Sequence, residues 1–160
     1  MVNLRVGVMS DTHGLTAGTN RALQAMGEID ALIHTGDFHA DALRLASMLK
    51  VPVHAVAGNC DAPLRGPEEL LLTLEGHKIF ITHGHLFRVK HNLHNLFYKA
   101  QEISAKVVVF GHTHIPLNLL NSGILFFNPG SPAYPRPGHA AGCGVLEITR
   151  REVKGELLSL

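Results

Sequence analysis

The sequence is poor in several residue types that define protein classes. Its 160 residues include no tryptophan, two tyrosines and two cysteines, and charged residues make up 17%. The cysteines, Cys60 and Cys143, form no CxxC arrangement and predict no structural disulfide. There is no basic run and no interleaved stripe of aromatic residues, and the net charge is +1. The composition therefore gives no clear indication of a nucleic-acid surface.

Long hydrophobic runs are also missing. The longest apolar stretches have the length of a β-strand, far short of a bilayer span, so we expect no membrane segment. The first residues lack the basic flank, long apolar stretch and cleavage site of a signal peptide, and we expect a cytoplasmic protein. A hydrophobic content of 46% is typical of a globular chain. We predict a single domain over residues 1–160, because no linker or repeat interrupts the sequence.

Histidine, in contrast, is abundant, with 12 residues. Five of them lie in D-x-H or H-x-H arrangements at predicted turns, which indicates metal binding or acid–base chemistry. These five are His13, His83, His85, His112 and His114. Six others are interpreted as structural or surface residues, namely His34, His39, His54, His77, His91 and His94.

The first half of the chain has a β-α-β-α-β pattern. We predict strands at Leu4–Met9, Ile29–Ile33 and Val53–Ala57, and helices at Thr19–Met26 and Asp41–Lys50. Right-handed crossovers would make the three strands parallel and bring their carboxyl ends to one edge of a sheet. Asp11, Asp37 and Asn59 each follow one of these strands and should meet at that edge.

The second half is richer in strands. It predicts one helix at Asn92–Glu102 and strands at Leu70–Leu74, Lys78–Thr82, Lys106–Phe110, Leu117–Leu120, Ile124–Phe127, Cys143–Ile148 and Val153–Leu158. We expect these strands to form a second sheet packed on the first, with the helices outside. His83 follows one of them, and His112 and His114 follow another.

Seven side chains at these strand ends are candidate metal ligands: Asp11, His13, Asp37, Asn59, His83, His112 and His114. They are too many for one tetrahedral ion and suit two ions that share a bridging carboxylate. Oxygen and nitrogen donors without thiolate fit Mn, Fe, Zn or Ni. Paired metal ions are a recurrent solution for the cleavage of phosphate esters.

The ordered motifs D-x-H, G-D, G-N-x-[DE], H and G-H-x-H resemble those of the calcineurin-like metallophosphoesterases. Here they occupy residues 11–13, 36–37, 58–61, 83 and 111–114. The short chain and the THGH, GNCD and NPGS segments resemble the small one-domain bacterial and archaeal phosphodiesterases. The resemblance implies an α/β fold, a β-sandwich of two mixed sheets flanked by helices in four layers, α/β/β/α.

The resemblance also implies how the ligands are shared. One divalent ion would take Asp11, His13, Asp37 and His114, and the other Asp37, Asn59, His83 and His112. Mn is the first choice of metal. A bridging hydroxide would attack the phosphorus of a small phosphate ester in line, which favours a binuclear phosphodiesterase. Family members also associate as dimers or larger homo-oligomers.

The residues expected at the reacting centre are Asp37, Asn59, His83 and His85. His85 could face the substrate or merely support the site. One departure from the family pattern is Cys60, where many members have a histidine thought to help the leaving group. We expect less help for poor leaving groups, which favours diesters over alkyl monoesters.

Other residues near the motifs have two interpretations each. Asp61 could orient a ligand or simply form a turn. Asn128 and Ser131 are explained by loop geometry, although the resemblance favours a place near the site. Arg136 and His139 could reach a phosphate, but solvated loop residues are the simpler interpretation.

Two alternatives to the phosphodiesterase stay open. The same fold serves in eukaryotic retromer as an interaction scaffold with an incomplete metal site. Against it, this sequence retains all seven ligands. A phosphomonoesterase or a nuclease would belong to the same reaction class. Cys60 argues against the first, and the absence of a basic face argues against the second.

Overall fold

The computed structural model describes residues 2–14 and 17–160. Its first half contains β1 (Leu4–Met9), α1 (Ala17–Met26), β2 (Ala31–His34), α2 (His39–Met48) and β3 (Val53–Ala55). The middle contains β4 (Glu69–Leu74), β5 (His77–Thr82), a short 3-10 helix (His85–Phe87), α3 (His94–Ile103) and β6 (Val107–Val109). The last part contains β7 (Leu117–Asn121), β8 (Ile124–Asn128), β9 (Gly142–Ile148) and β10 (Val153–Ser159).

All the strands and α-helices predicted from the sequence are present, with each bound within two residues of the prediction. The 3-10 helix was not predicted, because a single turn carries no periodicity. None of the helices in the described part of the chain has the length and apolar character that a membrane crossing requires.

The strands form two five-stranded mixed sheets. The first has the order β10-β9-β1-β2-β3, with β1, β2 and β3 parallel as predicted. The second has the order β4-β5-β6-β8-β7, with β5, β6 and β8 parallel and an antiparallel strand at each edge.

The C-terminal hairpin corrects one expectation. We expected the strands of the second half to build the second sheet, but β9 pairs antiparallel with β1 and extends the first. The physical reason is burial on both faces of β9. Leu146 and Ile148 enter the core between the sheets, while Cys143 and Val145 pack beneath α1 and α2. Such a strand is stable only inside a sheet covered on both sides.

The layers follow from the same two-sided burial. In β1, Val8 faces the core between the sheets, and Met9 faces α1 and α2. In β5, Ile79 and Ile81 face that core, and Phe80 faces α3. The fold is therefore the predicted four-layer α/β/β/α sandwich. The parallel strands of each sheet end on the same edge, so the turns that follow them can meet.

Candidate metal centre

The turns that carry the candidate ligands have an unusual backbone. Five of the seven candidates have a positive φ although none is glycine: Asp11 (52°), His13 (47°), Asp37 (56°), His112 (69°) and His114 (58°). Left-handed backbone costs a non-glycine residue on the order of 1–3 kcal/mol and tends to collect at functional sites. The fold therefore holds these residues in conformations that they would not choose by themselves.

The turn after β1 and the turn after β6 approach each other very closely at Gly111. A Cβ atom at Gly111 would collide with Ser10 Oγ and lie 2.7 Å from Asp11 Oδ2. Only glycine leaves space for this contact. The approach lets the backbone N–H of His112 donate to Asp11 Oδ2 at 3.1 Å, which links the two sheets at the site.

The two oxygens of the fully buried Asp11 have different surroundings. Oδ2 accepts hydrogen bonds from Ser10 Oγ at 2.6 Å and from His112 N. Within the described residues, Oδ1 has no hydrogen bond of acceptable geometry, although His114 Nε2 lies 3.2 Å away. Burial alone would raise the pKa of Asp11. The contacts with His114, His83 and Ser10 outweigh it, so the carboxyl group is held ionised.

A first donor group surrounds this free oxygen. One ligand atom from each of its four members lies within 4.8 Å of all the others; the members are Asp11, His13, Asp37 and His114. His114 Nδ1 lies 2.6 Å from Tyr134 O, which can only accept, so Nδ1 carries the proton. Nε2 of a neutral His114 then directs its lone pair at Asp11. In the metal-free protein the Asp11 carboxylate raises the pKa of His114, so a proton can take the place of a cation.

A second donor group centres on the fully buried His83. Its Nδ1 donates to Thr35 O at 2.8 Å, so a neutral ring has a lone pair at Nε2. This atom lies 3.0 Å from Asn59 Oδ1, 3.2 Å from His112 Nδ1 and 3.4 Å from Asp37 Oδ1. Two of these three neighbours are oxygens that cannot donate a proton. Burial, followed by proximity to His83, lowers the pKa of His112 to about 4, which keeps its ring neutral.

Asp37 lies between the two donor groups. Its Oδ2 is 3.7 Å from His13 Nε2, and its Oδ1 is 3.4 Å from His83 Nε2. Oδ1 also accepts a hydrogen bond from Cys60 N at 3.0 Å, which orients the carboxylate. One carboxylate thus presents an oxygen to each group.

These lone pairs repel one another unless a positive charge lies among them. An ionised Asp11 oxygen is buried with no hydrogen bond of acceptable geometry among the described residues, and acceptors face one another around His83. Both arrangements are costly for a site without a cation. The nitrogen and oxygen donors also match the preferences of Mn, Fe, Zn and Ni. The residues present therefore fit divalent cations on chemical grounds.

Several residues outside the seven hold the turns in place. Asn128 donates to Gly111 O and to Thr113 Oγ1, both at 3.0 Å. Ser131 Oγ donates to Asp11 O at 2.8 Å. Asp61 accepts from Gly58 N and from His39 N, both at 2.7 Å. The loop interpretation of Asn128 and Ser131 is incomplete, since their side chains bind the turns that carry the candidate ligands.

Three residues lie at the rim of the site or beyond it. His85 is near the second group, with ring centres 5.4 Å from His83 and 6.1 Å from His112. Its buried Nδ1 has no hydrogen-bond partner in the described part of the chain, and burial lowers its pKa. Arg136 and His139 are exposed, and Arg136 Nε donates to Thr113 O at 3.0 Å.

A cavity of about 530 Å³ opens beside the second group. Asn59, Glu68 and His85 contribute to its wall, together with Ala57, Gly58, Asp61, residues 62–64 and Gly66. Among the described residues that line it, none is a lysine or an arginine. The cavity offers room for the non-reacting part of a ligand next to the donor atoms.

Comparison with known proteins agrees with this fold. Residues 4–151 match the family model of the calcineurin-like phosphoesterase superfamily domain. The match extends over most of the chain, so the protein belongs to this superfamily.

The matches to individual relatives cover most of this chain and most of each relative. The chain is 37% identical to the probable metallophosphoesterase YsnB of Bacillus subtilis (strain 168), over 91% of this chain and 85% of that protein. It is 34% identical to the phosphodiesterase YfcE of Escherichia coli (strain K12), over 86% and 84%. The crystal structure of a conserved, predicted phosphoesterase from Streptococcus pneumoniae TIGR4 superposes with a TM-score of 0.82, at 33% identity over 99% and 91%.

Proteins that are not named phosphoesterases also share this fold. Vps29 complexed with Zn²⁺, from Entamoeba histolytica, superposes with a TM-score of 0.79 at 22% identity, over 98% of this chain and 99% of that one. At this identity the likeness shows the fold alone, so the assignment of function depends on the side chains of the site.

The left-handed backbone at His13 yields a prediction. His13→Gly and His13→Ala both remove the imidazole, but only glycine adopts a φ of 47° without strain. We expect the metal-free glycine variant to be more stable than the alanine variant by about 1 kcal/mol in urea unfolding.

The matched control is Arg21, an exposed residue inside α1. There Arg21→Ala should be more stable than Arg21→Gly, because glycine is unfavourable in a helix. An alanine variant at position 13 that equals or exceeds the glycine variant would show that the turn is not strained.

Proposed function

We propose that this chain is a binuclear metal-dependent phosphodiesterase. The observation that carries the proposal is the pair of donor groups on either side of Asp37, one around Asp11 Oδ1 and the other around His83 Nε2. A structural role for such buried, mutually repelling acceptors is hard to justify without cations. Membership of the calcineurin-like phosphoesterase superfamily supports the same reaction class.

The first ion would be held by Asp11, His13, Asp37 and His114, and the second by Asp37, Asn59, His83 and His112. Mn²⁺ is our first choice, with Fe, Zn and Ni also compatible with these donors. When bound, two such cations neutralise phosphoryl oxygens and lower the pKa of a water molecule. Asp37 is the residue best placed to contact both ions, because its two oxygens face different groups.

Side chains of the protein would orient the substrate and donate or accept hydrogen bonds. Burial lowers the pKa of His85, and its Nδ1, beside His83 and His112, has no hydrogen-bond partner among the described residues. It is suited to donate or accept one hydrogen bond at a substrate oxygen. The wall of the adjacent cavity, formed partly by Glu68, lacks cationic side chains in its described residues and would suit a leaving group without a second phosphate.

The preference for diesters rests on Cys60. Partial burial and the Asp37 carboxylate raise the pKa of the Cys60 thiol to about 11, so the thiol stays protonated near neutral pH. A thiol is a weak hydrogen-bond donor and a poor proton donor to an alkoxide. Substrates that need little help at the leaving group should therefore be cleaved best. The relative YfcE is named a phosphodiesterase, which agrees with this choice.

A non-catalytic scaffold is the second candidate function, favoured by the shared fold of Vps29. The donor groups argue against it, since a scaffold has no use for seven converging ligands. A phosphomonoesterase or nuclease of the same superfamily is the other alternative. The cytoplasmic location, the single domain and the homo-oligomeric state stay predictions from the sequence.

The central test of the proposal is hydrolysis of bis(p-nitrophenyl) phosphate with and without Mn²⁺. We expect activity that requires the metal, is removed by a chelator and falls at least about 100-fold in Asp37→Asn, because this variant removes the charge of the carboxylate shared by both proposed metal sites.

The control is Asp30→Asn, which removes the same charge at an exposed site where Asp30 binds the backbone of Arg5. This variant should keep wild-type activity. Folded wild-type protein that remains inactive with Mn²⁺, Fe²⁺, Zn²⁺ and Ni²⁺ would contradict the proposal and favour the scaffold.

Replacement of Cys60 tests the substrate preference. We expect Cys60→His to raise the ratio of monoesterase to diesterase activity by about 10-fold or more, because general acid catalysis by histidine favours poor leaving groups. Phenyl phosphate and bis(p-nitrophenyl) phosphate are suitable substrates. Cys60→Ala separates the gain of an imidazole from the loss of the thiol and should leave the ratio unchanged. An unchanged ratio in Cys60→His would mean that Cys60 does not cause the preference.

A further inference from the structure

A buried polar network that the proposed chemistry does not use lies behind the candidate ligands. It consists of Thr12 in the turn after β1, His34 at the end of β2 and Asp41 in the first turn of α2. Thr12 and His34 are completely buried, and Asp41 is 2% exposed. Burial of three polar side chains is costly unless each finds hydrogen-bond partners.

The hydrogen bonds of this network have a defined direction. The backbone N–H of Gly36 donates to His34 Nδ1 at 3.2 Å, so a neutral ring carries its proton on Nε2. His34 Nε2 then donates to Thr12 Oγ1 at 3.0 Å. The Thr12 hydroxyl donates in turn to Asp41 Oδ2 at 2.5 Å. Burial lowers the pKa of His34 to about 4, which keeps the ring neutral.

The ends of the network bind the turns that carry the first donor group. Thr12 lies between Asp11 and His13 in the sequence. Gly36 directly precedes Asp37. Asp41 Oδ2 also accepts a hydrogen bond from Gly14 N at 2.7 Å, on the other side of His13. Three of the four members of the first donor group are therefore flanked by atoms of one hydrogen-bonded chain.

The strained backbone of these turns explains what the hydrogen-bond network could do. Asp11, His13 and Asp37 all have left-handed φ values, which an unrestrained turn would relax. The network supplies restraint from behind the site and leaves the ligand atoms free to face inward. In metal sites, partners of this kind orient the ligands and typically contribute about 10–100-fold to metal affinity.

We propose that Thr12 is a positioning residue that, through His34 and Asp41, holds the first donor group in its metal-binding geometry. The proposal rests on the function proposed above, because it assumes that this group binds a divalent cation. It assigns to Thr12 no contact with the metal or the substrate. Thr12 would act by favouring the left-handed conformation of the turns that carry the ligands over a relaxed conformation.

The variant Thr12→Val tests this role, because it keeps the shape of threonine and removes the hydroxyl. Thr12→Ser keeps the hydroxyl and serves as the rescue. Mn²⁺ binding to the metal-free full chain is measured by calorimetric titration, together with the thermal midpoint of the metal-free protein. We expect Thr12→Val to bind one of the two ions about 10–100-fold more weakly. Thr12→Ser should bind both within about 3-fold of the wild type, a smaller change than that range.

A general loss of stability needs a separate control. Ile148→Val trims a buried residue on β9 opposite Leu4, at the far end of β1 from the site. It should lower the thermal midpoint and leave Mn²⁺ affinity unchanged. If Thr12→Val lowers the thermal midpoint but binds Mn²⁺ like the wild type, the proposal is overturned. The network would then serve only folding.

A second variant covers the case in which Thr12→Val does not fold. Asp41→Asn keeps an oxygen that can accept from Thr12 but removes the charge that strengthens the bond. Weaker Mn²⁺ binding at one site supports the proposal, and wild-type binding overturns it. A wild-type protein that binds no Mn²⁺ at all would refute the proposed function and this inference together. Normal wild-type binding with unaffected variants would refute the inference alone.

Discussion

Mutual repulsion among converging electron pairs is the constraint on which the rest of this structure depends. Asp11 Oδ1 is buried without a hydrogen bond in the described part of the chain, and His83 Nε2 faces two oxygens that cannot donate. Such an arrangement is stable only if the fold enforces it, or if a metal ion or a proton supplies positive charge among these atoms. Left-handed backbone at five candidate ligands adds a further cost. The hydrophobic packing of the four-layer sandwich, between the sheets and beneath the helices, offsets both costs.

The architecture explains how the fold tolerates this repulsion and backbone strain. The central parallel strands of each sheet are buried on both faces and end at one edge, so the turns are short and anchored in the core. Backbone contacts then join turn to turn, as where Gly111 N donates to His83 O at 2.9 Å and Asp11 N donates to Gly36 O at 3.0 Å. Neither sheet alone brings together all seven candidates, since Asp11 comes from one and His83 from the other.

Much of this was predictable from the sequence, because strand ends and their polar residues follow simple patterns. The β-α-β-α-β order correctly predicted that Asp11, Asp37 and Asn59 share an edge. The return of β9 to the first sheet was not predictable, since apolar alternation does not specify which sheet a strand joins. Backbone partners such as Thr35 O and Tyr134 O leave no signal in the sequence, because every residue has a carbonyl group. The hydrogen bonds from His34 to Thr12 and from Thr12 to Asp41 join side chains 22 and 29 residues apart, so only the tertiary fold reveals them.

The most direct test of the central claim is a crystal structure of the protein soaked with Mn²⁺, recorded at a wavelength where manganese scatters anomalously. Two anomalous peaks about 3.5–4 Å apart, one on each side of Asp37, would agree with two donor groups that share this carboxylate. A single peak would contradict the binuclear centre. The absence of any peak, with the seven side chains in the same positions, would show that the fold tolerates these facing lone pairs without a cation.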